Sequence, residues 1–102
     1  MNSTISNKVL VSILSGMMTA TAEYMPDDVS EALRDYIGEL NGTVRNPIGR
    51  DAARTWCVNV CDGSLEYIAA NPNVGHIINT EGNRMALVSL RAFLSSGYTH
   101  AA

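Results

Sequence analysis

A chain of 102 residues, 46% hydrophobic and 17% charged, is long enough to bury one modest core and too apolar to remain disordered. Its net charge of −3 argues against general nucleic-acid or anionic-membrane binding, since both rely on a broad positive field. No stretch reaches the ~20 apolar residues needed to span a bilayer, and a cytoplasmic location is expected.

Residues 4–24 have the spacing of a first helix, with Ser3 or Thr4 as its N-cap. Ile5, Val9, Ile13, Met17 and Ala20 form one stripe, which Leu10, Leu14, Met18 and Tyr24 widen. So wide a stripe predicts burial on more than one side, by a central position or by a second copy of the chain. Lys8, the apolar run at 9–14 and Ala20-Thr21-Ala22 outline a secretory signal, but the polar start at Asn2, Ser3 and Thr4 does not suit one. Met25-Pro26-Asp27-Asp28 stops this helix and starts another at 27–40, with Asp27 as the expected cap. Val29, Leu33, Tyr36, Ile37 and Leu40 share one face of it, and Asp28, Glu31, Arg34, Asp35 and Glu39 the other. The acids near its start suit a helix N-terminus without any further role. Asn41-Gly42 is a stop.

Residues 43–49 read as a loop, with Asn46-Pro47 as a turn initiator. The third helix covers 50–70 and is expected to continue through Asp62-Gly63-Ser64, kinked at most. Its apolar positions are Ala53, Trp56, Cys57, Val60, Cys61, Leu65 and Ile68. The two Cys lie four apart on one helical face, where an unstrained disulfide seldom forms, so both are expected buried and reduced. Residues 74–79 are read as loop, the alternative being a short extended segment at 74–78. A fourth helix follows at 80–96, with rows at Ala86, Leu90, Phe93 and at Leu87, Leu90, Leu94. Gly97 ends it, and residues 98–102 are expected to fray.

These elements predict an all-α fold: a compact bundle of about four helices in a single domain. Trp56, Cys57, Val60, Leu33, Ile37, Leu87, Leu90 and Leu94 are the expected core. The apolar surplus of the first helix predicts a homodimer or higher oligomer.

One polar segment stands out. Arg50 and Arg54 are a turn apart at a helix start, and Arg45 lies across the Asn-Pro-Ile-Gly loop. Guanidinium groups beside free N-terminal amides suit a phosphate or a partner's carboxylates, although three Arg near Asp51 also make an ordinary solvated face. The loop carrying His76 and leading to Arg84 has the look of a ligand loop; Glu81 could orient His76, but no nucleophile accompanies it. Cys57 and Cys61 lie on the apolar stripe, and neither a metal-ligand set nor a cofactor motif is present. The function expected is therefore that of a small non-enzymatic interaction protein, an adaptor, inhibitor or assembly factor. Its contacts would come from Arg45, Arg50, Arg54, His76 and Arg84. The alternative is a binder of a small phosphate-bearing ligand such as a nucleotide, through the same Arg cluster.

Overall fold

The architecture is that of a computed structural model, which describes residues 3–70 and 80–102. Among these, the chain forms β1 (Thr4–Ile5), α1 (Asn7–Ala20), α2 (Asp27–Asn41), α3 (Arg50–Ala70), α4 (Thr80–Leu94) and β2 (Thr99–His100). The fold is all-α, four helices in one compact domain. The expectations for His76 and for an extended segment at 74–78 lie outside the described residues.

α1 is shorter at both ends than its spacing predicts. Ser6, not Ser3 or Thr4, is the N-cap, and its hydroxyl accepts the Val9 amide at 3.3 Å. The helix stops at Ala20, where the hydroxyls of Thr19 and Thr21 donate to the carbonyls of Ser15 and Met17 at 2.9 and 2.7 Å. Such i−4 bonds from Thr compete with the helix ladder. The buried line is also rotated from the expected one: Leu10 and Leu14 are enclosed, whereas Val9 and Ala20 are exposed.

α2 keeps its expected face, burying Val29, Leu33, Tyr36 and Leu40, with Ile37 partly covered. Pro26 takes the cap position, so Asp27 and Asp28 fall inside the first turn, at the positive end of the helix dipole. Gly42 closes the helix at φ 71°, a left-handed conformation that a side chain would strain.

α3 runs unbroken through Asp62-Gly63-Ser64, and Asp62 is tied to Arg91 of α4. Its buried line is Ala53, Cys57 and Cys61. These small side chains let α2 and α4 approach on either side, and α3 packs against both. Trp56 and Val60, expected in the core, flank that line instead: Trp56 is 56% exposed and Val60 only half-buried. α2 and α3 are antiparallel, since Glu39 near the end of α2 meets the Ile48 and Gly49 amides just ahead of α3 and the two helices pack together. α3 and α4 are antiparallel too, because Asp62 meets Arg91 while Arg54 meets Tyr98 beyond the far end of α4.

The C-terminus does not fray. Gly97, at φ 88°, turns the chain back after α4. Tyr98 is buried, and β2 pairs in parallel with β1, Thr4 opposite Thr99 and Ile5 opposite His100. Thr99 N–H donates to the Ser3 carbonyl at 2.8 Å and Ala101 N–H to that of Ile5 at 3.0 Å. Among the described residues, no helix is long and apolar enough to cross a membrane.

Candidate functional site

The start of α3 is where the sequence places an anion, and the fold puts one there from within the chain. The Glu39 carboxylate accepts the amides of Ile48 and Gly49 at 2.7 and 3.3 Å. Arg50 and Arg54 do come together, but both turn toward the chain's own terminus. Arg50 Nη1 donates to Asn7 Oδ1 at 2.7 Å and to the Ala101 carbonyl at 2.9 Å. Arg54 donates to the Tyr98 carbonyl at 2.7 Å and to Asp51 at 3.3 Å, and its guanidinium lies 4.6 Å from the centre of the Tyr98 ring. The other expected contacts are elsewhere. Arg45 is exposed in the loop, and Arg84 pairs with Glu81 one turn away on α4.

Behind these Arg residues runs a polar chain, buried at Tyr36 and Tyr98 and open to solvent at Asp51. Tyr36 Oη lies 2.8 Å from Tyr98 Oη and 2.6 Å from His100 Nε2, while His100 Nδ1 lies 3.0 Å from Asp51 Oδ1. One proton arrangement satisfies every contact: Tyr98 O–H donates to Tyr36, Tyr36 O–H to Nε2, and Nδ1–H to Asp51. It requires a neutral imidazole. Burial and the nearby Arg54 guanidinium hold His100 below its ordinary value, outweighing the Asp51 carboxylate. A carboxylate, an imidazole and a hydroxyl in series is also the order of a nucleophile relay. Here the hydroxyl belongs to Tyr36, which is wholly buried, and burial pushes its phenol far up. A reacting atom needs access, so this chain of groups serves as a clasp on residues 98–101. The thiols are equally withdrawn: burial raises Cys57 to about 12 and Cys61 to about 11, and neither is in a disulfide. Both stay protonated near neutrality. Among the described residues, no three His, Cys, Asp or Glu side chains converge as a metal site.

Two accessible grooves of about 390 Å³ each are present among the described residues: one between α3 and the segment after α4, lined by Arg54, Val58, Leu94 and Tyr98, and one between α2 and α3. In the second, Asp28, Glu31 and Asp35 of α2 form one wall; Trp56, Val60 and Gly63 of α3 form the other. Helical spacing makes each set a row, i, i+3, i+7 on α2 and i, i+4, i+7 on α3. Both rows are visible in the sequence, but Asp28, Glu31 and Asp35 read as the solvated face of α2, and Trp56 and Val60 as core with Gly63 as a weak point of the helix. Only the packing of α3 through its smallest side chains reveals that Trp56 faces outward. Compared with protein-family models, curated proteins and solved structures, the chain finds no match in any of the three.

Proposed function

We propose that this protein is a small non-enzymatic interaction protein, an adaptor, inhibitor or assembly factor, that binds another macromolecule through the α2–α3 groove. The observation that carries this reading is Trp56, held 56% exposed beside the buried line of its helix. Covering the exposed half of an indole of ~250 Å² is worth roughly 3 kcal/mol at about 25 cal/mol per Å². Trp is also the residue type most enriched where binding energy concentrates. The polar groups that could favour other chemistry are occupied internally: Arg50 and Arg54 by the terminus, His100 by Asp51 and Tyr36. That occupancy weighs against the phosphate-binding alternative, which needs those guanidinium groups.

A photo-crosslinking side chain at Trp56, in the native cell, tests the reading. A discrete macromolecular adduct is expected at that position and not at exposed Ser12 on α1. No adduct at position 56, or the same adduct at both positions, would refute it.

A further inference from the structure

We infer that the α2–α3 groove receives a cationic amphipathic helix of a partner protein, with apolar side chains against Trp56 and Val60 and Lys or Arg on Asp28, Glu31 and Asp35. This rests on the groove being the contact surface and adds the chemistry of its occupant.

The charge argument begins with what the protein leaves unpaired. Asp51, Asp62 and Glu81 each have a cationic partner, and Glu39 holds two backbone amides. Asp28, Glu31 and Asp35 have no ion pair among the described residues, although Asp28 accepts the Val29 amide at 2.9 Å and Arg34 lies on the same helix. Their spacing puts one carboxylate on each successive turn of α2, spread over roughly 10 Å. That is too far apart for one ammonium group and matches a row of cations on a second helix.

Shape narrows the occupant further. Both walls are helices, whose backbone groups are already paired along their length, so an extended segment would find no edge to join. A trough between two helices suits apolar side chains at i, i+3, i+4 and i+7 of a third. Gly63 leaves room along the α3 wall: a Cβ there would meet nothing within 4 Å. A second copy is a poor occupant. The chain carries net charge −3, Arg50 and Arg54 bind its own terminus, Arg84 and Arg91 sit in pairs with its own acids, and the remaining cations, Lys8, Arg34 and Arg45, lie on α1, α2 and the loop before α3 rather than in a row on one helix.

Trp56 is the only Trp, so its emission reports on the groove directly. The probe is an acetylated amphipathic peptide of about 15 residues, Leu on one face and Lys along both flanks, titrated into the full chain. The expected result is a saturable blue shift, with affinity falling roughly tenfold from about 50 to about 300 mM NaCl. The triple variant Asp28→Asn, Glu31→Gln, Asp35→Asn should lose about tenfold or more in affinity with an unchanged helical spectrum. Neutralising Glu23 and Glu66, which do not line the groove, should change it less than about twofold. Gly63→Lys keeps a good helix former in open space and fills the trough with a cation, so it should abolish the shift in a folded protein.

An unmoved emission maximum overturns the inference, as does equal affinity for the triple variant or for a peptide with Glu in place of Lys. A blue shift that grows with protein concentration alone also overturns it, by seating a second copy. If Trp56 crosslinks a macromolecule in cells while the Lys peptide leaves emission unmoved, the occupant's chemistry is wrong and the contact surface stands. If the crosslink also fails, both readings fall.

Discussion

Tyr98→Ala is the sharpest test of how the chain's end is held. A fraying tail would lose nothing by it. In the structure Tyr98 is 3% exposed, stacks on Phe93 with ring centroids 5.2 Å apart, and lies beneath Arg54. Burying ~200 Å² of aromatic surface is worth about 5 kcal/mol at about 25 cal/mol per Å². Residual burial in the unfolded chain lowers that by up to roughly 40%. The lost hydroxyl contact with Tyr36 adds about 1 kcal/mol, and the freed tail returns a similar amount in backbone entropy. The net expectation is about 3 kcal/mol, or roughly 12–20 °C in Tm for a domain of this size. Tyr98→Phe keeps the packing and leaves Tyr36 bonded to His100, so it should cost only about 1 kcal/mol. Urea unfolding followed by far-UV circular dichroism measures both. A loss below ~0.5 kcal/mol for Tyr98→Ala would refute the reasoning and return the segment to solvent.

Arg54→Ala should lower stability by roughly 1–3 kcal/mol without changing helix content, because it removes a charged hydrogen bond to a carbonyl and a contact on the Tyr98 ring; a chemical melt identical to wild type would contradict this. Stability should also fall below neutrality on account of His100. Its folded value lies below the ordinary 6.5, so acid protonates the unfolded chain first. The contribution is complete above about pH 6.5 and is lost as pH falls through the folded value. Asp51, Arg54, Arg50, Tyr36 and Tyr98 surround the ring, and His100→Asn should flatten that part of the pH–stability curve; an unchanged slope would assign the titration to another group. Cys57→Ser should cost about 1–3 kcal/mol by burying a hydroxyl on the α2–α3 seam. In the native protein, both thiols should resist an aromatic disulfide reagent that labels them on unfolding.

The helices were legible where the sequence offers contrast. α2 has acids on one side, large apolar residues on the other, Pro26 before it and Gly42 after it, and it forms over almost the expected span. α1 and α3 are apolar around more of their circumference, so spacing alone does not fix which line is buried. In α1 both the 9–13–17 row and the 10–14 row are apolar, and packing against α2 selects the second. In α3 the weight of Trp56 pulls the expected face toward it, yet the buried line is built from Ala53, Cys57 and Cys61. A helix between two neighbours gains by presenting small residues to both. The terminal pairing left no local trace at all. Each strand has two residues, too short for a period-two pattern, and the partners lie 95 residues apart.

The Arg segment shows why chemistry read from spacing needs the whole fold. Its residue types suit oxygen acceptors at a helix start, and oxygen acceptors are what they meet: the carbonyls of Tyr98 and Ala101, the carboxylate of Asp51, the amide oxygen of Asn7. The Glu39 carboxylate likewise takes the amides just ahead of α3. These acceptors are tethered to the same chain, so each contact forms without the loss of translational freedom that an external ligand would incur. The same logic applies in reverse to α2. Asp28, Glu31 and Asp35 share α2 with Arg34, and Arg50, Arg54 and Arg91 are committed to the terminus and to Asp62. The row of carboxylates is therefore left facing Trp56 with no ion pair among the described residues, Asp28 holding only the Val29 amide, and it is open to the cations of a partner.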